Sequence, residues 1–248
     1  MKHVETGAGP ERILWLHGGN VAGWMWAPQV PAFDDYVCLV PDLPGFGASA
    51  DDAWVSIAET ADRIADLLDG APVHVVGLSL GASIAVDLAA RHPELVQSLV
   101  LASTQAVPPR RLDRVAARAL LLFWNQRGFW VGLARSYGLT GEDADLFVST
   151  GLGIRRETAV AIYREVRRGV PSASLDALPT GTLALAGDRD SPAIWRASLA
   201  RLRAAGAEVA VAPGLHHQFS VEDPVLFNDA VRSWIESRRL GAGLVTPT

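Results

Sequence analysis

The chain has 248 residues, a formal net charge of −5, 49% hydrophobic residues and a mean hydropathy of +0.19. These values predict one domain, or one domain with an insertion, around a sizeable apolar core. The acidic balance argues against a nucleic-acid partner, and no apolar run approaches the ~20 residues that a membrane span needs. We expect a cytoplasmic protein, because the segment MKHVETGAGPER lacks a signal-peptide core and the single cysteine, Cys38, fits a reducing compartment.

Short apolar runs alternate with helical patterns along the chain. The runs are nearly all apolar, which is typical of strands that are covered on both faces of a parallel sheet. The fold class we predict is therefore α/β, with a doubly wound, mostly parallel sheet. The predicted strands are Ile13–His17, Tyr36–Pro41, Val73–Leu78, Ser98–Ala102, Thr182–Gly187 and Glu208–Ala212.

Helix signals lie between these strands. Ser56 and Glu59 have the spacing of a capping box at the start of a helix over Ile57–Leu68. A helix over Ala82–Arg91 follows the third predicted strand. The last predicted helix has an inward apolar stripe formed by Phe227, Val231, Trp234 and Ile235.

Residues 105–180 contain no convincing strand, and we expect them to form a helical cap over one edge of the sheet. Helix-like segments lie near Leu112–Gln126, Glu142–Ser149 and Glu157–Arg168. The predicted organisation is a core domain of residues 1–104 and 181–240, the cap, and a flexible tail at 241–248.

The predicted cap is basic within an acidic chain. It holds 11 arginines against 7 acidic residues, a net charge of +4 that leaves −9 for the remainder. One hypothesis is that the cap receives an acidic substrate group or docks an acidic acyl carrier, because arginine binds carboxylates and phosphates. The alternative is a solvated helix surface. Four of the arginines recur at roughly helical spacing: Arg110, Arg111, Arg114 and Arg118.

The pentapeptide G-L-S-L-G at 77–81 raises the question of why a buried strand ends in a serine between two glycines. It matches the G-x-S-x-G pattern of a nucleophilic serine, in the strand–turn–helix setting that the pattern requires. Glycines two residues to either side relieve crowding in so tight a turn, and Ser79 then stands at the N-terminus of a helix, which favours an oxyanion.

A nucleophilic serine needs a base and a third group that orients the base. In chain order, an acid follows the predicted strand 182–187, where Asp188 and Asp190 are both available. A histidine follows in the loop before the last helix, where His216 and His217 are both available. The residues alone leave both choices open.

Several separated motifs together resemble the α/β-hydrolase fold family, in the group of serine esterases, carbon–carbon bond hydrolases and proline iminopeptidases. They are LHGG at 16–19, DLPGFGAS at 42–49, GLSLG at 77–81, RHPELVQSLVLAS at 91–103, GDRD at 187–190 and HHQFSVEDP at 216–224. The resemblance covers nearly all of the chain except the cap. It is specific for the fold and much less specific for the substrate.

The resemblance implies a choice at each open position. The acid of this family usually follows G-x-x-D, which implies Asp190, and the histidine lies about five residues before E-D-P, which implies His217. The oxyanion hole is expected to use the backbone N–H of Leu80, next after the nucleophile, and by resemblance that of Gly19. His17 is expected to brace this loop rather than to take part in the chemistry.

These residues favour a serine hydrolase, most plainly a carboxylesterase for a small or medium apolar acyl ester. The alternatives are a carbon–carbon bond hydrolase of dicarbonyl compounds and a non-catalytic ligand-binding receptor of the same fold. Serine as the nucleophile argues against dehalogenase and epoxide hydrolase chemistry. We expect no cofactor and no metal. Aromatic residues of the oxyanion loop and the cap are candidates for the substrate pocket: Trp24, Trp26, Trp124 and Trp130.

Overall fold

The computed structural model describes residues 1–109 and 121–247. Within these ranges, seven strands form one sheet in the order β1-β3-β2-β4-β5-β6-β7. β1 pairs antiparallel with β3, and the other neighbouring strands pair parallel. The strands are β1 (His3–Thr6), β2 (Arg12–Leu16), β3 (Val37–Pro41), β4 (Val73–Leu78), β5 (Val96–Ala102), β6 (Thr182–Gly187) and β7 (Glu208–Ala212).

The predicted α/β fold class is confirmed by this sheet and by the helices that flank it. Strands β2 to β7 coincide with the six predicted strands to within two residues. Every residue of β4 and β6 is buried, as expected for strands covered on both faces. The sequence missed β1, an edge strand whose four residues are all exposed.

The described helices of four residues or more lie mainly on the two faces of the sheet. They are α1 (Ile57–Leu68), α2 (Leu80–Arg91), α3 (Arg127–Ser136), α4 (Gly141–Gly153), α5 (Arg156–Val166), α6 (Ser172–Asp176), a π-helical segment (Ala193–Ser198), α7 (Leu199–Ala204), α8 (Phe219–Glu222) and α9 (Pro224–Ser237). Short 3₁₀ turns occur at Gly23–Trp26, Val30–Phe33, Gly47–Ser49, Pro93–Leu95 and Leu121–Phe123. None of the helices described is long and apolar enough to cross a membrane.

The local sequence signals explain how two of these helices start and pack. The backbone N–H of Glu59 donates to Ser56 Oγ at 3.0 Å, as the capping pattern predicts for the start of α1. On α9, the predicted apolar stripe is buried against the sheet side of the molecule.

Helices α3 to α6 lie between β5 and β6, in the segment 105–180 that we call the insertion. Two predicted helices, Glu142–Ser149 and Glu157–Arg168, correspond to α4 and α5. The sequence missed α3, which contains two glycines and has no side-chain cap. The predicted helix Leu112–Gln126 lies largely outside the described residues. The arginines at 110, 111, 114 and 118 lie wholly outside them.

The predicted flexible tail at 241–248 instead contacts both β7 and α9 within the described residues. Val245 forms an antiparallel bridge with Val211 of β7, and the N–H of Ala242 donates to Asp229 Oδ2 at 2.6 Å. β7 is an edge strand whose outer backbone groups need partners. The tail sequence, GAGLVTPT, does not itself reveal this unpaired edge.

Candidate active site

Ser79 lies at a strained turn between β4 and α2. Its φ of 55° and ψ of −105° are outside the conformations that most residues adopt. A Cβ on Gly77 would lie 2.6 Å from the carbonyl carbon of Gly81, and a Cβ on Gly81 would lie 2.1 Å from the carbonyl oxygen of Leu16. The two glycines are therefore required because β2, the turn and α2 approach each other at backbone distance.

The two residues predicted to form the oxyanion hole, Leu80 and Gly19, share a cavity with Ser79. Leu80 is the first residue of α2, so its N–H has no acceptor within the helix. Gly19 follows β2, and no atom lies within 4 Å of the position that its Cβ would take. Both residues line the same cavity as Ser79. Asn20, next to Gly19, adopts a left-handed φ of 73° that turns the loop at this point.

His217 and Asp190 form a short hydrogen bond across two loops. The distance from His217 Nδ1 to Asp190 Oδ2 is 2.7 Å. The other carboxylate oxygen of Asp190 accepts the N–H of Ser191 at 2.6 Å. The carbonyl of His217 accepts the hydroxyl of Ser103, which is fully buried at the end of β5, at 3.0 Å. His217 is itself 8% exposed and lines the cavity with Ser79.

The two competing candidates, Asp188 and His216, have partners of a different kind. Asp188 Oδ1 accepts the N–H of Gly214 at 2.7 Å. This bond holds the start of the loop between β7 and α8 that carries His216 and His217, which we call the histidine loop. His216 Nδ1 lies 2.9 Å from Glu222 Oε1, and its backbone N–H donates to Glu222 Oε2 at 2.7 Å. Neither residue lines the cavity that contains Ser79 in the described part of the chain.

His17 connects the loop that follows β2 to the segment that follows β3. Its Nε2 accepts the backbone N–H of Leu43 at 2.9 Å, so Nδ1 carries the proton and donates to the carbonyl of Gly18 at 2.7 Å. The ring is fully buried, and this burial lowers the pKa of His17 to about 4. His17 is therefore neutral at ordinary pH and links the LHGG segment to the segment that follows β3. Asp42 makes a structural turn there, because it accepts the N–H groups of Gly23 and Ala48.

A cavity of about 520 Å³ lies above Ser79. One side is formed by the core residues of the candidate site, and the other by side chains of the insertion. The wall of the insertion is mostly apolar and includes two tyrosines and one arginine among its described residues: Tyr137, Ile154, Ile162, Tyr163, Val166 and Arg167. The size and lining are those of a small-molecule site.

The four tryptophans predicted for the substrate pocket do not line this cavity in the described part of the chain. Trp26 is fully buried and packs on Trp15, with ring centroids 5.1 Å apart. Trp124 and Trp130 pack edge to face at 4.5 Å inside the insertion. Trp24 donates from Nε1 to Thr150 Oγ1 at 2.9 Å and so joins the core to the insertion.

These positions correct the pocket prediction on physical grounds. Large aromatic side chains bury the most apolar area when they pack on each other, and composition does not distinguish such packing from a binding wall. The insertion residues that do line the cavity were missed because they carry no motif.

Similar proteins show the family to which the chain belongs. The alpha/beta hydrolase fold family matches residues 11–132. An AB hydrolase superfamily protein of Gibberella zeae is 31% identical over 95% of this chain and 83% of its own length. The chain therefore belongs to the α/β hydrolase family, as the sequence motifs predicted.

Esterases are among the similar proteins. The pimeloyl-[acyl-carrier protein] methyl ester esterase of Nitrosomonas europaea is 40% identical over a stretch that covers 45% of this chain and 44% of that protein. A solved structure of Est816, an N-acyl homoserine lactone degrading enzyme, matches with a TM-score of 0.76 and 26% identity over 94% of this chain and 95% of that chain. Family membership and these similar proteins support the conclusion that the chain is a hydrolase.

Proposed function

We propose that the protein is a serine hydrolase that cleaves small or medium apolar acyl esters through an acyl-enzyme, with Ser79, Asp190 and His217 as its catalytic triad. The observation that carries the proposal is the 2.7 Å contact of Asp190 with His217, in a cavity that Ser79 and His217 line together. The strained turn at Ser79 adds support, because such a conformation persists where function requires it.

In the proposed reaction, Nδ1–H of His217 donates a hydrogen bond to the carboxylate of Asp190. This bond holds the proton on Nδ1 and leaves Nε2 as the base. Nε2 takes the proton of Ser79 Oγ as this oxygen attacks the ester carbonyl. The N–H groups of Leu80 and Gly19 donate to the oxyanion that forms. The imidazolium then gives its proton to the departing alkoxide. In the second half of the reaction, Nε2 takes a proton from the water that attacks the acyl-enzyme carbonyl, and the imidazolium returns it to Ser79 Oγ as the acid is released.

The proposed substrate class follows from the cavity wall. Isoleucine and valine side chains of the insertion face the space above Ser79 and favour an apolar acyl chain. Arg167 lines the same space, so an acyl chain that ends in a carboxylate is a second substrate class to compare. The basic composition of the insertion also supports the proposal that it docks an acidic acyl carrier.

Turnover of p-nitrophenyl esters of increasing chain length tests the proposal. We expect hydrolysis by the wild type and its loss in Ser79→Ala, with retained folding and with Ser149→Ala, an exposed serine of the insertion, as the matched control. Saturable ligand binding without turnover would favour the receptor alternative. Cleavage of a dicarbonyl compound in preference to every ester would favour the carbon–carbon bond hydrolase.

A further inference from the structure

Tyr137, at the end of α3 in the insertion, stacks on the ring of His217. The two ring centroids are 5.0 Å apart, and the ring planes are inclined by 30°. From this contact we infer that Tyr137 is a positioning residue for His217, so that the insertion helps to set the geometry of the base. The inference rests on the proposed function of His217.

The stack completes a set of restraints on the imidazole. The hydrogen bond to Asp190 holds Nδ1, and the bond from Ser103 holds the backbone carbonyl of His217. Neither contact covers a face of the ring, so these two bonds by themselves do not restrict its tilt about the contact with Asp190. A flat aromatic ring on one face restricts that tilt and excludes water from that face.

Tyr137 is itself held firmly by the insertion. Its ring packs edge to face on Phe147 of α4, with centroids 5.7 Å apart. Its backbone N–H donates to the carbonyls of Leu133 and Ala134 at the end of α3. Burial raises the pKa of the Tyr137 phenol, so the ring is neutral at ordinary pH.

The residue after Tyr137 fits against the same histidine loop. Gly138 has a φ of 76°, and a Cβ there would lie 3.0 Å from both Glu222 Cδ and His216 Nδ1. The turn of Tyr137 and Gly138 therefore rests on both histidines of the loop, through a ring stack at His217 and through backbone contact at the His216–Glu222 pair. Two adjacent contacts make the insertion and the histidine loop one packed unit.

Tyr137→Leu removes the ring, and Tyr137→Phe keeps it and removes only the hydroxyl. We expect kcat for a short p-nitrophenyl ester to fall by about 10- to 100-fold in Tyr137→Leu, the scale of a misplaced catalytic group. Tyr137→Phe restores kcat to within about twofold of the wild type, because stacking needs only the ring. Phe129→Leu is the packing control, since Phe129 contacts Trp124 and Trp130 within the insertion.

A spectroscopic readout separates positioning from loss of stability. The low-field proton resonance of His217 Nδ1–H, identified by its absence in His217→Ala, should be sharp in the wild type and in Tyr137→Phe. It should broaden or disappear in Tyr137→Leu at a temperature where that variant is folded by circular dichroism. If Tyr137→Leu does not fold, Tyr137→Met, which keeps bulk without a ring, takes its place.

Three outcomes would overturn the inference: unchanged kcat and a sharp resonance without the ring, an equal loss in Tyr137→Phe, or an equal loss in Phe129→Leu. Failure of the proposed function gives a different pattern, in which wild type and Ser79→Ala hydrolyse esters equally. In that case the resonance alone still reports whether the ring of Tyr137 orders His217.

Discussion

Asp190 and His217 form a 2.7 Å hydrogen bond, although their loops follow different strands, β6 and β7. Gly187, at the end of β6, allows this approach, because a Cβ there would lie 2.1 Å from the carbonyl oxygen of Leu215. The histidine loop thus lies directly on the end of the strand that carries the acid. The nearest alternatives, Asp188 and His216, brace the same loop through other partners.

The two histidines are expected to respond differently to substitution. His217→Ala removes the proposed base and should reduce ester turnover as severely as Ser79→Ala. His216→Ala removes the Nδ1 contact with Glu222 and the packing of the ring beside Gly138, but keeps the backbone N–H bond to Glu222, so we expect a small loss of kcat and a lower melting temperature. Steady-state kinetics and thermal unfolding of both variants check this order. A larger kcat loss in His216→Ala would move the base by one residue.

The two aspartates offer a matched pair of isosteric changes. Asp190→Asn should lower turnover by about 10³- to 10⁴-fold, the scale seen when the triad acid of a serine protease is replaced and the histidine tautomer is disturbed. Asp188→Asn keeps an oxygen that accepts the N–H of Gly214, so kcat should stay within about threefold. The same p-nitrophenyl ester serves for both variants. Similar losses in the two variants would contradict the assignment of Asp190.

His17 gives a prediction for the pH dependence of stability. Its pKa in the folded protein is about 4 and the ordinary value is 6.5, so between these pH values the unfolded chain binds a proton that the folded chain does not. The free energy of unfolding therefore falls as pH falls through this window, by about 3 kcal/mol in total from His17. Well above pH 6.5, His17 is neutral in both the folded and the unfolded chain, so it does not make the free energy of unfolding depend on pH.

The variant His17→Gln isolates this contribution. It keeps an oxygen to accept the N–H of Leu43, and it does not titrate. Urea unfolding at pH 7 and at pH 4.5 should show that the stability advantage of the wild type shrinks as the pH falls. Parallel pH profiles for the two proteins would contradict a neutral, buried His17.

Arg167 tests the class of acyl chain. Burial raises the pKa of the Tyr163 hydroxyl, the Asn20 hydrogen bond and the nearby charge of Arg167 oppose this rise, and Tyr163 and Arg167 both line the cavity. We expect Arg167→Gln to lower kcat/KM for the monomethyl ester of a dicarboxylic acid by about tenfold, because a charged hydrogen bond is lost. The matched neutral methyl ester should change little. Arg168→Gln, an exposed neighbour, is the control; equal effects on both esters would leave Arg167 without a role in substrate choice.

The sequence allowed most of the sheet to be predicted because its strands are buried on both faces. β4 and β6 were predicted with the bounds that the structure has. β1 was missed because an exposed edge strand has no apolar pattern. The family motifs also indicated which aspartate and histidine lie together, which the residue types alone left open.

The cavity wall was beyond prediction for a different reason. Its insertion side includes side chains of α5 and the residues that directly follow α3 and α4, Tyr137 and Ile154. Their position depends on how the insertion packs on the core. Trp130 and Tyr137 are close in sequence, yet the first is fully buried among aromatic rings and the second lies on His217. Residues seven apart share one face of a helix, so helical spacing cannot distinguish these two environments without the partner surface.

The most direct test of the central claim is the site of covalent labelling by a fluorophosphonate, which reacts with an activated serine. Peptide mass spectrometry of the labelled wild-type protein should place one phosphonyl group on Ser79, and His217→Ala should abolish the label because the proposed base is gone. Labelling of another residue, or ester turnover that persists at the wild-type rate in Ser79→Ala, would contradict the proposed triad.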